Sequence, residues 1–254
     1  MQTTEMNKNG VLLVLMDLKE GAYVSLKYAI TLAKRSRFDL KLFHVLPALD
    51  VIKSDNQLVG IAKLETERAR AEENFEAIVE IITAEGLFAT YELSFGAVHS
   101  EIRNQIKLCN PELIVAGRNK NRTQSVGATT RFLLKCFHGP ILSVVGRSEF
   151  KQDTKICLAG TESLEQEFNL DTTFKVSECT KAPLYVLKVQ KKDEGNEPMR
   201  FKTETGYPRT IHQILTHDSK KPSDLAKQLC VHGSQEGVDL LCVGNDVRFQ
   251  GQIT

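Results

Sequence analysis

The residues best suited to bind an anion lie between residues 113 and 145. An apolar run ending in Gly117 is followed by a polar loop, by Gly127 and by the hydroxyl groups of Thr129 and Thr130. Glycine lets the backbone approach a phosphate closely, and the N-terminus of a helix attracts negative charge. The spacing predicts a strand, a ligand loop, a short helix and a second strand.

The loop between the two glycines is basic, because it contains Arg118, Lys120 and Arg122. In an open parallel sheet, ligands bind outside the carboxyl ends of the strands, where the strand order reverses. If an anion binds here, we expect it at the start of the helix near Thr129, in contact with Gly127 and the basic loop.

No motif in the sequence predicts catalysis. His217, Asp218 and Ser219 are adjacent, and adjacent residues cannot adopt the geometry of a catalytic triad. The sequence contains no nucleophile elbow, metalloprotease helix, complete P-loop or paired-carboxylate motif. His44 lies in an apolar run typical of a strand, which favours a core histidine, and His99 is interpreted as a polar residue near a helix start. We therefore expect no catalytic residue and no enzyme activity.

The cysteines predict neither a metal site nor disulfides. They are far apart and form no CxxC pair, which favours reduced, mostly buried thiols. The six are Cys109, Cys136, Cys157, Cys179, Cys230 and Cys242.

Composition excludes several classes of partner. The chain has 254 residues, with 33 Lys plus Arg against 32 Asp plus Glu and a net charge of +1. Such a balance creates no field that would attract nucleic acid or anionic lipid, and the chain has no Trp to stack on bases. The apolar run at 11–16 is far too short to span a bilayer. We expect a cytoplasmic protein that binds neither nucleic acid nor membranes.

The first half alternates strands with helices. Continuous apolar runs indicate parallel strands that are covered on both faces, and apolar residues at helical spacing indicate the helices between them. Strands are predicted at 11–16, 40–47, 89–95, 113–117 and 141–145, and helices at 22–33, 64–82, 102–106 and 129–137. Residues 89–95 alternate with polar residues, as an edge strand does. The alternation predicts a doubly wound sheet.

The second half repeats this pattern in weaker form, which indicates an internal duplication. Predicted strands at 154–160, 182–189, 210–216 and 238–243 correspond to the first four strands of the first half. The long second helix is replaced by a charged segment, 191–209, which we expect to be a mobile loop. Because the chain ends soon after Gly244, we expect an edge at Leu240–Val243 covered by RFQGQIT or by the strand at Ile141–Val145.

The first half resembles a universal stress protein domain. The matching pieces are a first strand that ends at Asp17, HVLP after the second strand, GAVHSEI, LIVAG, and GATTRFLLKCFHGPILSVV, all in the order typical of the family. The resemblance covers domain 10–147, and domain 153–254 resembles a degenerate, shortened second copy. The predicted fold class is α/β, with two doubly wound, mostly parallel-sheet, Rossmann-like repeats of which the second is incomplete.

Many members of that family bind ATP through a loop with glycines at fixed spacing. The resemblance implies a site formed by Asp17 near the ribose and the backbone of Val45 near the base. Asp17 could equally cap the following helix, and both interpretations stay open. Around the phosphates the resemblance implies contacts from the loop and the start of its helix: Gly117, Arg118, Asn119, Gly127 and Thr129.

The loop departs from the family pattern in three ways. Lys120 occupies the position of the middle glycine, Ala128 replaces a hydroxyl residue, and the loop is three residues shorter. A Lys resists the backbone conformation that glycine allows, at a cost of about 1 kcal/mol or more, and the lost hydroxyl removes roughly 1 kcal/mol of hydrogen bonding. In the second half, Asp246 follows Gly244 closely and Thr161 replaces the acid that corresponds to Asp17, so we expect no nucleotide there.

We therefore expect a non-enzymatic stress-response or regulatory module with a degenerate nucleotide loop and no bound cofactor. The alternative is an ATP-binding switch that uses the first repeat, with slow hydrolysis. The resemblance also implies a homo-oligomer, or a pseudo-dimer of the two repeats within one chain, through the strand at Ile141–Val145. The protein partner is not identified by the sequence.

Overall fold

The computed structural model describes residues 10–46, 57–118, 128–137, 139–145, 151, 153–160, 176–191, 210–217 and 240–243. These residues belong to two compact units, one before and one after residue 150. Each unit has its own parallel sheet. No helix in the described segments is both long enough and apolar enough to cross a membrane.

Strands and helices alternate through the first unit as predicted. The described elements are β1 Val11–Leu15, α1 Glu20–Ser36, β2 Asp39–Leu46, α2 Gln57–Ala84, β3 Ala89–Phe95, α3 Val98–Cys109, β4 Leu113–Arg118, α4 Ala128–Cys136 and β5 Ile141–Val145. The five strands are parallel, in the order β3-β2-β1-β4-β5. The predicted α/β fold is confirmed, and β3 lies at the edge of the sheet as its alternating pattern indicated.

Helices cover both faces of this sheet, which explains why β1 is apolar throughout. On one face, Leu13 and Phe43 pack with Ile102 of α3 and Leu133 of α4 in a single buried cluster. On the other face, α1 packs against β4 next to Gly117. Because successive side chains of a strand point to opposite faces, a strand with helices on both sides needs a continuous apolar run.

The second unit contains a four-stranded parallel sheet. Its strands are β6 Ile156–Gly160, β7 Leu184–Lys191, β8 Thr210–His217 and β9 Leu240–Val243, in the order β8-β7-β6-β9. When the strands of each unit are counted along the chain, both sheets place the third strand beside the second, then the first, then the fourth, as in β3-β2-β1-β4 of the first unit. The interpretation of this unit as a degenerate copy, and the division into domains 10–147 and 153–254, stay predictions. Most of the charged segment 191–209, and RFQGQIT, lie outside the described residues.

Candidate functional site

The strand order reverses between β1 and β4, because β1 continues toward β2 whereas β4 continues toward β5. At such a point the connections leave in opposite directions and open a crevice at the carboxyl ends of the two strands. Asp17 follows β1, and Gly117 and Arg118 end β4. Three predicted site residues therefore come to the same edge of the sheet.

Asp17 is exposed and belongs to a tight turn between β1 and α1. Its carboxylate Oδ1 accepts a hydrogen bond from the backbone N–H of Lys19 at 3.1 Å. Lys19, not Asp17, is the residue that precedes the first helical residue, and it makes no side-chain capping bond. The interpretation of Asp17 as the N-cap residue is therefore wrong, because its carboxylate bonds to the N–H of Lys19, before the helix, and not to an N–H of the first helical turn. The turn places Leu18 at a φ of 56°.

The backbone N–H and C=O of Val45 point to the side of β2 on which β1 lies, but they lie past the end of β1. In a parallel strand, the N–H and C=O of one residue face the same neighbour, and successive residues alternate. Phe43 accepts a bond from Met16 N–H on the β1 side at 2.9 Å, whereas Leu46 accepts one from Gly96 N–H on the β3 side at 3.2 Å. Val45 therefore faces the β1 side, past the last paired residue of β1. Its side chain is buried in the core.

Gly117 is itself exposed, but it lies directly beside the first residues of helix α1. A Cβ atom at this position would lie 2.8 Å from the backbone oxygen of Gly21 and 3.1 Å from Oγ of Ser25. The Ser25 side chain is fully buried, and its hydroxyl donates to Ala22 O at 2.8 Å. The requirement for glycine at position 117 thus has a cause within the fold, namely close packing of a helix on a strand.

Helix α4 begins at Ala128, so the first side chain of the helix is an exposed methyl group. Thr129 is half-buried in the first turn, and Thr130 is buried. The first turn contains no acidic residue that would repel an anion. Asn119, Gly127 and the side chain of Arg118 lie outside the described part of the structure.

His44 contributes to this edge in a way that sequence reasoning missed. Its ring nitrogen Nδ1 lies 2.7 Å from the backbone oxygen of Met16, the residue before Asp17. The only signal in the sequence is a polar residue within an otherwise apolar run, and such a residue is commonly a core histidine. His99, in contrast, is an exposed residue near the start of α3 as predicted, and its ring stacks on that of Phe132 at 4.3 Å.

A second polar cluster connects β2, β3 and α3 and includes the buried side chain of Gln105. Glu92 accepts from Lys41 at 2.9 Å and from the buried Gln105 at 3.1 Å. Burial raises the pKa of the neighbouring Cys109 thiol, with a smaller increase from Glu92 and an opposing effect of Lys41. These contacts fasten α3 to the sheet. Within the described segments, no group of three His, Cys, Asp or Glu side chains could hold a metal ion.

Comparison with known proteins agrees with this architecture. The family model described as the universal stress protein family matches residues 9–144. Among 46 matching solved chains is a universal stress protein from Archaeoglobus fulgidus, which is 18% identical with a TM-score of 0.58, over 93% of this chain and 77% of the other. At that identity the likeness establishes the fold.

Two further solved structures match about half of the chain. Universal stress protein UspA from Lactobacillus plantarum is 21% identical, with a TM-score of 0.47, over 53% of this chain and 97% of its own. A universal stress protein family member from Burkholderia pseudomallei is 20% identical, with a TM-score of 0.42, over 53% and 95%. No curated protein sequence matches the chain.

Proposed function

Because its family model covers residues 9–144, the chain belongs to the universal stress protein family, and we propose that it is a non-enzymatic stress-response or regulatory module without tight nucleotide binding. The observation that carries this proposal is the packing of Gly117. A Cβ atom at this position would be too close to the backbone of helix α1, so this glycine gives no independent support for a phosphate site.

The start of α4 supports the same proposal. Ala128 offers no hydroxyl at the position where the family pattern has one, and Lys120 replaces a glycine in the loop. Together the two changes remove about 2 kcal/mol of expected phosphate stabilisation, which corresponds to a loss of affinity of about 30-fold.

The second candidate is an ATP-binding switch, with slow hydrolysis. It is favoured by Val45, whose backbone groups are directed past the end of β1, and by Asp17, which is exposed at the adjacent strand end. A nucleoside could bond to both residues, with a sugar hydroxyl donating to the carboxylate of Asp17 and the base bonding to the backbone of Val45. Thr129, half-buried in the first turn of α4, adds a hydroxyl beside the helix N-terminus.

Calorimetric titration with ATP distinguishes the two candidates. We expect no tight binding by the unchanged protein, and a Kd at or below about 1 μM would refute the first proposal in favour of the switch. The double substitution Lys120→Gly and Ala128→Ser should raise affinity by about 30-fold if the loop is a degenerate ATP site. If the affinity of the double variant is unchanged, Lys120 and Ala128 are not what weakens binding.

Charge reversal of Arg118 and Lys120 together should abolish any anion binding.

We further propose that the chain assembles through β5 and functions in the cytoplasm. β5 is at the edge of its sheet, and an apolar edge strand is suited to pair with another strand, either in a second chain or in the second unit. Free thiols at Cys109, Cys136 and Cys179 fit a reducing compartment. Native mass spectrometry of gently purified protein would report subunit number and any retained nucleotide together.

A further inference from the structure

The turn that follows β1 is joined to β2 by two hydrogen bonds of different kinds. Met16 N–H donates to Phe43 O at 2.9 Å, which continues the regular parallel ladder by one bond. In a regular ladder the next bond would run from Val45 N–H to Met16 O. At this point of the described structure, however, Met16 O is 2.7 Å from Nδ1 of His44. An imidazole thus occupies the position of a backbone donor.

The bond specifies the tautomer of His44. A carbonyl oxygen can only accept, so Nδ1 must bear the hydrogen. The ring is supported by Phe75 of α2, which is fully buried and lies 6.1 Å away between ring centroids. Phe75 in turn stacks on Tyr91 of β3, with centroids 5.5 Å apart and planes at 12°. The packing of α2 on the sheet therefore holds the imidazole in place.

The turn needs such support, because its backbone is strained. Leu18 has a φ of 56°, in the left-handed region that costs a non-glycine residue roughly 1–2 kcal/mol. Two contacts oppose that cost. Asp17 Oδ1 accepts from Lys19 N–H on the far side of Leu18, and His44 holds Met16 O on the near side.

We propose that His44 is a positioning residue for the candidate site: its Nδ1–H anchors the turn that presents Asp17 and takes the place of Val45 N–H in the ladder. The backbone groups of Val45 then face the site on the β1 side, past the end of β1, instead of continuing the ladder to Met16. Only the ligand-binding part of this proposal rests on the proposed ATP-binding candidate, since anchoring of the turn is measurable without any ligand.

The first test examines the unchanged protein. Long-range proton–nitrogen correlation spectra of the histidine rings should show His44 as the Nδ1–H tautomer. Detection of the Nε2–H tautomer at His44 would overturn the proposal, because that ring could not donate to Met16 O. This test does not depend on the folding of any variant.

The second test compares His44→Leu with His44→Asn. The Leu side chain has no donor, whereas the amide nitrogen of Asn lies close to the position of Nδ1. In His44→Leu, hydrogen exchange at the Lys19 amide should accelerate about five- to tenfold relative to the Leu40 amide, which bonds to Phe88 O at the opposite end of the sheet. His44→Asn should restore slow exchange. Equal acceleration at both amides in both variants would indicate a general loss of stability and refute a positioning role.

The third test uses ATP as the probe and the variant with Lys120→Gly and Ala128→Ser as the background. If that background binds ATP, adding His44→Leu should weaken binding about tenfold and His44→Asn should restore it. Unchanged affinity would refute the link between the turn and the site. If the background does not bind ATP, the ATP-binding candidate fails, while the tautomer and exchange measurements still decide the anchoring role.

Discussion

Replacement of Gly117 by Ala tests whether this glycine serves the fold or a ligand. The added Cβ would lie 2.8 Å from Gly21 O, whereas ordinary contacts begin at 3.4 Å, so helix α1 would have to move by about 0.6 Å. Overpacking of this kind costs about 1–3 kcal/mol. Gly117 has no left-handed φ, so without the contact the same substitution would stabilise the protein by about 0.4–1 kcal/mol. The two interpretations therefore predict changes of opposite sign.

Urea denaturation followed by circular dichroism measures the effect, because the chain has no Trp for fluorescence. With an m value of about 2 kcal/mol/M, a loss of about 2 kcal/mol would lower the midpoint by about 1 M. Exchange of the β1 and β4 amides in urea would assign the transition to the first unit. A midpoint that is unchanged or raised would refute the packing argument.

Ser25→Ala provides the matched control. This substitution removes the 3.1 Å contact but leaves the 2.8 Å contact with the backbone of Gly21. The double variant with Gly117→Ala should therefore recover little of the lost stability. Full recovery would show that the Ser25 hydroxyl, not the helix backbone, is the obstacle.

The remaining predictions concern ionisation and exposure. Burial, followed by nearby acidic groups, raises the pKa of Tyr91 above 10.0, so the unfolded chain loses this proton first and stability should fall as pH rises above about 10; Tyr91→Phe should reduce that fall in denaturation curves at pH 9–11. Partial burial also raises the pKa of Cys109 and Cys136 above 9.0, so both should react with iodoacetamide at pH 7 more slowly than in the urea-unfolded chain, as peptide mapping by mass spectrometry can measure; equal rates would contradict their partial burial. Amides of Leu240–Val243 should exchange slowly if that edge is covered, and fast exchange there would show an open edge. Strong protection across 191–209 would contradict a mobile loop.

The sequence by itself determined the element order of the first unit and its fold class. Continuous apolar runs in β1 and β4 required helices on both faces, and the alternating run in β3 indicated an edge strand. The ends of the helices were also readable. Helix α3 ends at Cys109, and the next residue, Asn110, is left-handed and directly precedes Pro111, which disfavours helical geometry in the residue before it. These signals depend only on residues that are close in the sequence, so the sequence alone reveals them.

Contacts between residues far apart in sequence were decided only by the tertiary structure. Gly117 was interpreted as a phosphate-contacting glycine, since nothing near it in the sequence shows that Gly21, about a hundred residues earlier, would press against it. His44 resembled a core histidine, because its bond partner, Met16, becomes its neighbour only when β1 and β2 pair in their register. Strand register and helix packing create these contacts, and neither is encoded in the type of a single residue. A pattern can therefore predict which elements meet at a site, but only the folded chain shows what each side chain does there.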